Sequence, residues 1–134
     1  MKYTYTAVIS PDEKTGKYFC RVPDLPGCIT SGKTLDEAID MISDAASVWL
    51  VSAEDHDDSV IEPTPQNMIT HSNNDILSVI QIDTLRYREE TDTHAVRKSV
   101  SIPAWMSNIA SKYGMNLSQI LQDALRSAIE ARGV

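Results

Sequence analysis

The C-terminal segment, residues 95–134, carries the pattern that most restricts how this chain can fold. It reads as a short strand over Val96–Ile102, then a proline, a helix, a glycine and a second helix. A single strand leaves its backbone edges unpaired, and a segment of roughly 40 residues usually needs a disulfide, a metal or a partner chain to fold. Antiparallel pairing of this strand with that of a second copy meets both needs, so we expect a dimer.

The two predicted helices supply the apolar surface for that dimer. Pro103 suits the start of the first helix and Gly114 suits its C-terminal stop, while Asn116 is a good N-cap for the second. Apolar side chains recur at helical spacing along the second helix and form one continuous stripe, which predicts contact with a helix of another chain. The predicted dimer core comprises Val100, Ile102, Ile109, Ile120, Leu121 and Leu125.

The polar face of the predicted strand presents Arg97, Ser99 and Ser101 from each chain. The major groove of DNA admits a two-stranded ribbon, in which arginine can donate to guanine and serine can donate to or accept from several bases. An ordinary solvated strand shows the same alternation. The order of strand, proline, helix, glycine and capped helix favours DNA binding instead, and over residues 95–133 it closely resembles the MetJ/Arc/CopG family of ribbon-helix-helix repressors.

That resemblance implies base contacts from Arg97, Ser99 and Ser101. It also implies phosphate contacts from the backbone amides near the start of the second helix, a natural anion site. The residues concerned there are Asn116, Leu117 and Ser118. The chain departs from the family pattern at Lys98, which falls on the inward face where that family often has an apolar residue, so we expect its side chain to extend outward.

The charge of the chain is divided unevenly along the sequence. Residues 1–90 hold 7 Lys and Arg against 16 Asp and Glu, whereas residues 91–134 hold 5 against 3. An acidic module is repelled by phosphate and suits a basic protein partner, although acidic side chains also serve simply to solubilise a surface. The sequence therefore predicts that nucleic acid contacts only the C-terminal part.

The N-terminal part predicts an α+β fold in the order β-β-β-α-β. Strands are predicted over Tyr3–Ile9 and Tyr18–Val22, joined by a turn at Asp12–Gly16. The elbow Pro23–Gly27 leads into a third strand over Cys28–Ser31.

A helix follows the third strand. Thr34 and Glu37 form a capping box, and the apolar face ends near Trp49 and Leu50. The polar stretch Glu54–Asn74 is predicted as loop, and Ile76–Leu85 as a returning strand. The predicted domains are residues 1–88 and 95–134, with a polar linker over 89–94.

A second resemblance arises in the run GKYFCRVPDLPGCITSGKTLDEAI, residues 16–39, followed by a long helix. It looks like the N-terminal domain of HicB antitoxins, a truncated RNase H-like fold that this family joins to a helix-turn-helix or a ribbon-helix-helix tail. The resemblance implies a type II antitoxin. Its N-terminal domain would neutralise a small basic HicA-like toxin that cleaves RNA, and its tail dimer would bind operator DNA and repress its own operon.

The toxin contact is expected around the elbow and the start of the long helix. The candidate residues are Asp24, Leu25, Pro26, Gly27, Cys28, Asp36 and Asp40, with Asp44 further along the same helix. Homodimers through the tail, with a possible tetramer through the N-terminal domains, would give avidity on paired half-sites. The competing interpretation is a stand-alone regulator whose N-terminal domain senses a ligand or oligomerises.

Catalysis is not predicted, and neither is a cofactor. Active RNase H-like enzymes hold two Mg²⁺ with carboxylates, but the acids here fall in a turn, in the elbow and on a helix rather than in mid-strand. His56, His71 and His94 stand singly, and the spacing of Cys20 and Cys28 matches no zinc pattern. With no apolar run of membrane length and no signal-peptide core, we expect a cytoplasmic protein with two reduced thiols and no membrane contact.

Overall fold

The computed structural model describes residues 1–134, and its internal contacts divide the chain into two compact units. Unit 1 is Met1–Thr91 and unit 2 is Asp92–Val134. The division falls within the stretch predicted as a linker, and each unit is described by itself below.

Unit 1 is built on one four-stranded antiparallel sheet. Its strands are β1 (Lys2–Pro11), β2 (Tyr18–Arg21), β3 (Ile29–Gly32) and β4 (Ile76–Asp83), in the spatial order β3-β2-β1-β4. The helix α1 (Leu35–Asp55) lies between β3 and β4 in the chain. The predicted α+β class is therefore confirmed.

The turn between β1 and β2 forms around the side chain and backbone of Asp12. Its carboxylate accepts hydrogen bonds from the Lys14 amide at 3.1 Å and from the Thr15 hydroxyl at 2.8 Å, and its carbonyl accepts from the Gly16 amide at 2.8 Å. Gly16 has a φ of +72°, which glycine adopts without steric cost. The turn was predicted at this place from the same residues.

Helix α1 begins at the predicted cap. The Thr34 hydroxyl accepts a hydrogen bond from the Glu37 amide at 3.1 Å, and the Glu37 carboxylate reaches back to the Lys33 amide at 3.3 Å. The helix continues to Asp55, beyond its predicted end near Trp49 and Leu50. At its start it lies so close to β3 that a Cβ on Gly32 would come within 2.5 Å of the Ala38 nitrogen.

The core of unit 1 lies between α1 and one face of the sheet. Residues at alternate positions of β1 and β4 point to this face, and residues at three- and four-residue spacing along α1 cover them. The fully buried side chains include Tyr5, Ala7, Ile9, Cys20, Ala38, Ile42, Ala46 and Leu50.

The elbow after β2 is tied to the rest of unit 1 by side-chain hydrogen bonds. The buried carboxylate of Asp24 accepts from the amide of Thr64 at 2.8 Å and from its hydroxyl at 2.6 Å. The indole Nε1 of Trp49 on α1 donates to the carbonyl of Pro26 at 3.0 Å. Through Thr64, the elbow therefore fixes the long loop between α1 and β4.

Unit 1 ends in a helix that sequence reasoning missed. Strand β4 stops at Asp83 rather than at Leu85, and α2 (Thr84–Thr91) occupies the first residues of the predicted linker 89–94. The Asp83 carboxylate accepts from the Arg86 amide at 3.2 Å, and Arg88 Nη2 lies 2.9 Å from the Asp55 carboxylate of α1. Polar contacts thus support this helix, whose apolar periodicity is weak.

Unit 2 consists of an extended segment and two helices, α3 (Ala104–Lys112) and α4 (Leu117–Ala131). Gly114, with a φ of +61°, ends α3: its amide bonds the Ser111 carbonyl, and the Met115 amide bonds the Ala110 carbonyl. This is the Schellman arrangement, and it matches the predicted stop. The strand predicted over Val96–Ile102 does not form within the single chain, because no neighbouring strand lies beside it.

Removal of the Asp24 carboxylate tests the tie between elbow and loop. We expect Asp24→Ala to lower the free energy of unfolding by about 1–3 kcal/mol, because both Thr64 donors lose their acceptor. Urea unfolding measures the change. Asp36→Ala is the matched control, since that carboxylate is exposed on α1. Equal stability of the two variants would show that the tie contributes nothing.

Candidate functional site

The apolar surface of unit 2 is left uncovered by its own chain. Ala110 is its single buried residue, while the large side chains of the α4 stripe remain 38–52% exposed. The exposed members of that stripe are Leu117, Ile120, Leu121, Leu125 and Ile129. Such a contiguous apolar surface is typical of an interface.

The predicted dimer-core residues share this exposure. Val100 and Ile102 lie in the extended segment before α3, and Ile109 lies on α3. All three are exposed in the single chain. The structure thus places the predicted core at the surface of unit 2, on both sides of Pro103.

The start of α4 has the geometry of an anion site. The Asn116 side chain accepts from the Gln119 amide at 3.1 Å and caps the helix as predicted. The amides of Leu117 and Ser118 belong to the first turn of α4, where backbone donors have no acceptor within the helix. Residues 117 and 118 are exposed.

The three residues predicted to contact bases lie in the extended segment of unit 2. Arg97, Ser99 and Ser101 are all exposed, as is Lys98. Because no strand forms there within the single chain, these side chains are not yet ordered on one face. A paired strand would place residues 97, 99 and 101 on the same side by its two-residue period.

The elbow Pro23–Gly27 and Cys28 expose less surface for a toxin contact than was expected from the sequence. Leu25 and Cys28 are buried in the core, and the Asp24 carboxylate is occupied by Thr64. Pro26 and Gly27 are exposed, although the Pro26 carbonyl is taken by Trp49. Three of the seven residues proposed for the toxin contact therefore stabilise the fold and are not accessible to a partner.

The outer side of α1 is an accessible acidic surface of unit 1. Asp36, Asp40 and Asp44 are all exposed and follow one another at four-residue spacing, so they form one line along the helix. Met41 and Val48 are 45% and 50% exposed on the same helix. These two residues were missed, and the available signal was that both fall outside the buried stripe of α1.

The cysteine thiols lie inside the core of unit 1 and do not form a reactive site. Burial raises the pKa of both the Cys20 and the Cys28 thiol above the ordinary value. Cys20 Sγ donates to the Ala38 carbonyl at 3.4 Å. At neutral pH both remain protonated, the form in which a thiol is a poor nucleophile.

Two of the structures that resemble this chain come from toxin-antitoxin proteins. A chain of the toxin-antitoxin complex from Streptococcus pneumoniae has a TM-score of 0.62 and 23% identity, covering 96% of this chain and 99% of that one. The antitoxin HicB of Burkholderia pseudomallei has a TM-score of 0.54 and 20% identity, covering 96% and 98%. These likenesses establish a shared fold that extends over both units.

Comparisons of sequence give a relative and a family. A UPF0150 protein of Thermoplasma acidophilum is 35% identical over 68 residues, which are 97% of its length and 51% of this chain.

No helix of this chain combines the length and apolarity needed to cross a membrane. The family model described as HicB-like antitoxin of bacterial toxin-antitoxin system matches residues 5–125. The chain therefore belongs to the HicB-like antitoxin family.

Proposed function

We propose that this antitoxin neutralises a HicA-like, RNA-cleaving toxin through unit 1 and represses its own operon through a DNA-binding dimer of unit 2. The observation that carries the proposal is the contrast between the two units. Unit 1 has a complete core and an acidic surface, whereas unit 2 has an uncovered apolar stripe and an exposed Arg97. The first suits a basic protein partner and the second requires another copy of itself.

The electrostatics of unit 1 support a basic partner. Its residues include 7 Lys and Arg against 16 Asp and Glu. The line of Asp36, Asp40 and Asp44 lies next to the exposed side chains of Met41 and Val48. Acidic groups steer a cationic protein and fix its orientation, and apolar side chains among them supply area that gains from burial. We assign the toxin contact to this side of α1 and to the exposed Pro26 and Gly27.

The exposed stripe of α4 supports the dimer. Two copies related by a twofold axis can cover each other's stripe and pair residues 96–102 as an antiparallel ribbon, which completes the ribbon-helix-helix arrangement. Arg97, Ser99 and Ser101 of both chains then face the major groove, while the amides of residues 116–118 meet phosphates. Unit 2 has a net positive charge, with 5 basic against 3 acidic residues after residue 90, which is compatible with contact to DNA phosphates.

Growth rescue tests the toxin half of the proposal. A HicA-type toxin expressed in bacteria arrests growth, and co-expression of its cognate antitoxin restores it. We expect co-expression of this chain with its HicA-like toxin to restore growth, and the two proteins to co-purify. Continued arrest in the presence of the folded chain would overturn the neutralising role.

Charge reversal along α1 locates the contact. We expect Asp36→Lys, Asp40→Lys and Asp44→Lys together to weaken toxin binding by roughly 2–5 kcal/mol, because attraction becomes repulsion. Isothermal titration calorimetry measures the change. The control reverses three exposed acids elsewhere on unit 1, Glu13, Asp58 and Glu62, and so changes the net charge equally. Equal effects of the two triple variants would count against this face of α1.

The stripe of α4 can be interrupted by one charge. Leu125→Arg should convert the dimer to a monomer, because it replaces an apolar side chain that is 52% exposed in the single chain and covered in the dimer, and the twofold symmetry places the charge in the interface twice. Light scattering coupled to gel filtration measures the mass. Asp123→Arg adds the same side chain on the polar side of α4 and should leave the dimer intact. A dimer of the Leu125→Arg variant would place the interface elsewhere.

Truncation of Arg97 tests base recognition. Arg97→Ala should weaken operator binding by about 1–3 kcal/mol and relax specificity at one position, since a bidentate contact to guanine is lost. Fluorescence anisotropy with the operator and with scrambled DNA separates these effects. Toxin affinity should not change. Loss of both activities together would identify Arg97 as a residue needed for folding.

A further inference from the structure

The outer edge of β4 is an uncovered row of backbone hydrogen-bonding groups. The strand is eight residues long and pairs with β1 on one side, while the sheet order leaves no strand on its other side. At about 3.3 Å per residue, this edge extends for roughly 26 Å. An edge of that length is a template on which another strand can pair.

Strand β4 lacks the devices that usually protect an edge. Its sequence ILSVIQID contains no proline and no basic residue. Each residue from Ile76 to Asp83 has one partner in β1, so no bulge interrupts the strand. The opposite edge differs, because β3 has only four residues and is followed directly by Lys33. Short strands and edge lysines are among the features that prevent pairing.

Charge identifies the occupant of the β4 edge. A basic partner is drawn to the exposed acids of α1, whereas β4 carries a single acid, Asp83, which lies opposite Lys2 in the register with β1. The remaining exposed side chains of β4 include Val79 at 55% and Ile76 at 37%. A neutral, partly apolar edge matches another neutral, partly apolar edge.

We infer that the β4 edge pairs antiparallel with the β4 edge of a second copy of this chain. The inference rests on the assembly part of the proposed function, because the dimer of unit 2 supplies the second copy at high local concentration. Tethering of this kind raises a second contact to effective concentrations in the millimolar range. Pairing of two strand edges is only marginally stable between free molecules. Tethering through unit 2 therefore raises the fraction of molecules in which the edges are paired.

The position of the acids selects the register. A twofold axis at Val79 would place Asp83 opposite Asp75 of the partner, and like charges directly opposite each other destabilise a strand pair. Moving the axis to Ile80 places Asp83 opposite Leu77 and pairs Val79 with Gln81. This register keeps seven of the eight residues of β4 in the ladder. Paired Cα atoms are then about 4.5–5.5 Å apart, within reach of a disulfide.

Disulfide trapping in the full-length chain tests the pairing. Val79→Cys and Gln81→Cys chains carrying different tags are co-expressed, purified together and oxidised. We expect a cross-link between the two variants, with a yield roughly tenfold or more above that of Val48→Cys, because proximity raises the effective concentration. Val48 is a matched control at 50% exposure on α1. The native thiols are buried and do not compete.

The outcomes separate the inference from the proposed function. No cross-link above the Val48→Cys background at either β4 position would overturn the pairing. A Val79→Lys substitution in the Gln81→Cys chain should abolish its cross-link to the Val79→Cys chain, whereas Val48→Lys in the Gln81→Cys chain should leave that cross-link unchanged. Light scattering on Val79→Lys tests unit 2 separately: a two-chain mass supports the α4 dimer, and a one-chain mass overturns that dimer while the cross-link yield still decides the pairing of β4.

Discussion

The uncovered stripe of α4 is the constraint on which the organisation of this antitoxin depends. Five large apolar side chains face outward from a helix whose own unit buries only Ala110. Complete burial of such a side chain contributes about 1.5–3 kcal/mol, and these five are 38–52% exposed, so covering the remaining area of all five would favour association with another chain. The caps at Asn116 and Gly114 define the two helices before any partner arrives. In the proposed dimer, a second copy would complete a core whose two helices are already formed, and the strand over residues 96–102 would form with it.

Local chemistry explains which elements could be predicted from the sequence. The cap at Thr34, the turn at Asp12 and the stop at Gly114 each depend on side chains within a few residues of one another, and all three formed as expected. Helix α2 was missed because its apolar periodicity is weak. Its contacts are polar: Asp83 caps it, and Arg86 pairs with Glu90 at 2.8 Å.

The candidate toxin contact could be predicted only in part, because burial is decided by distant residues. Asp24 and Asp36 are both acids in polar stretches of sequence, yet one accepts two hydrogen bonds from Thr64, 40 residues away, and the other is exposed. Nothing near Asp24 in the sequence indicates that partner. The predicted strand over residues 96–102 likewise depends on a partner that is distant in sequence. A strand forms only where another strand pairs with it, and no such strand lies beside residues 96–102 within the single chain.

Separation of charge along the chain would let the two proposed partners, the toxin and DNA, bind to different units. The acids concentrate before residue 91, and the exposed line on α1 offers them to a cation, whereas Arg97 and Lys98 precede the helices of unit 2. A bound basic toxin would offset the negative charge of unit 1 and so lower the repulsion between that unit and DNA phosphates. This repulsion is screened as the ionic strength rises. In the proposed function, this electrostatic effect would couple the two activities with a positive sign: toxin on unit 1 would favour DNA on unit 2, most strongly at low salt.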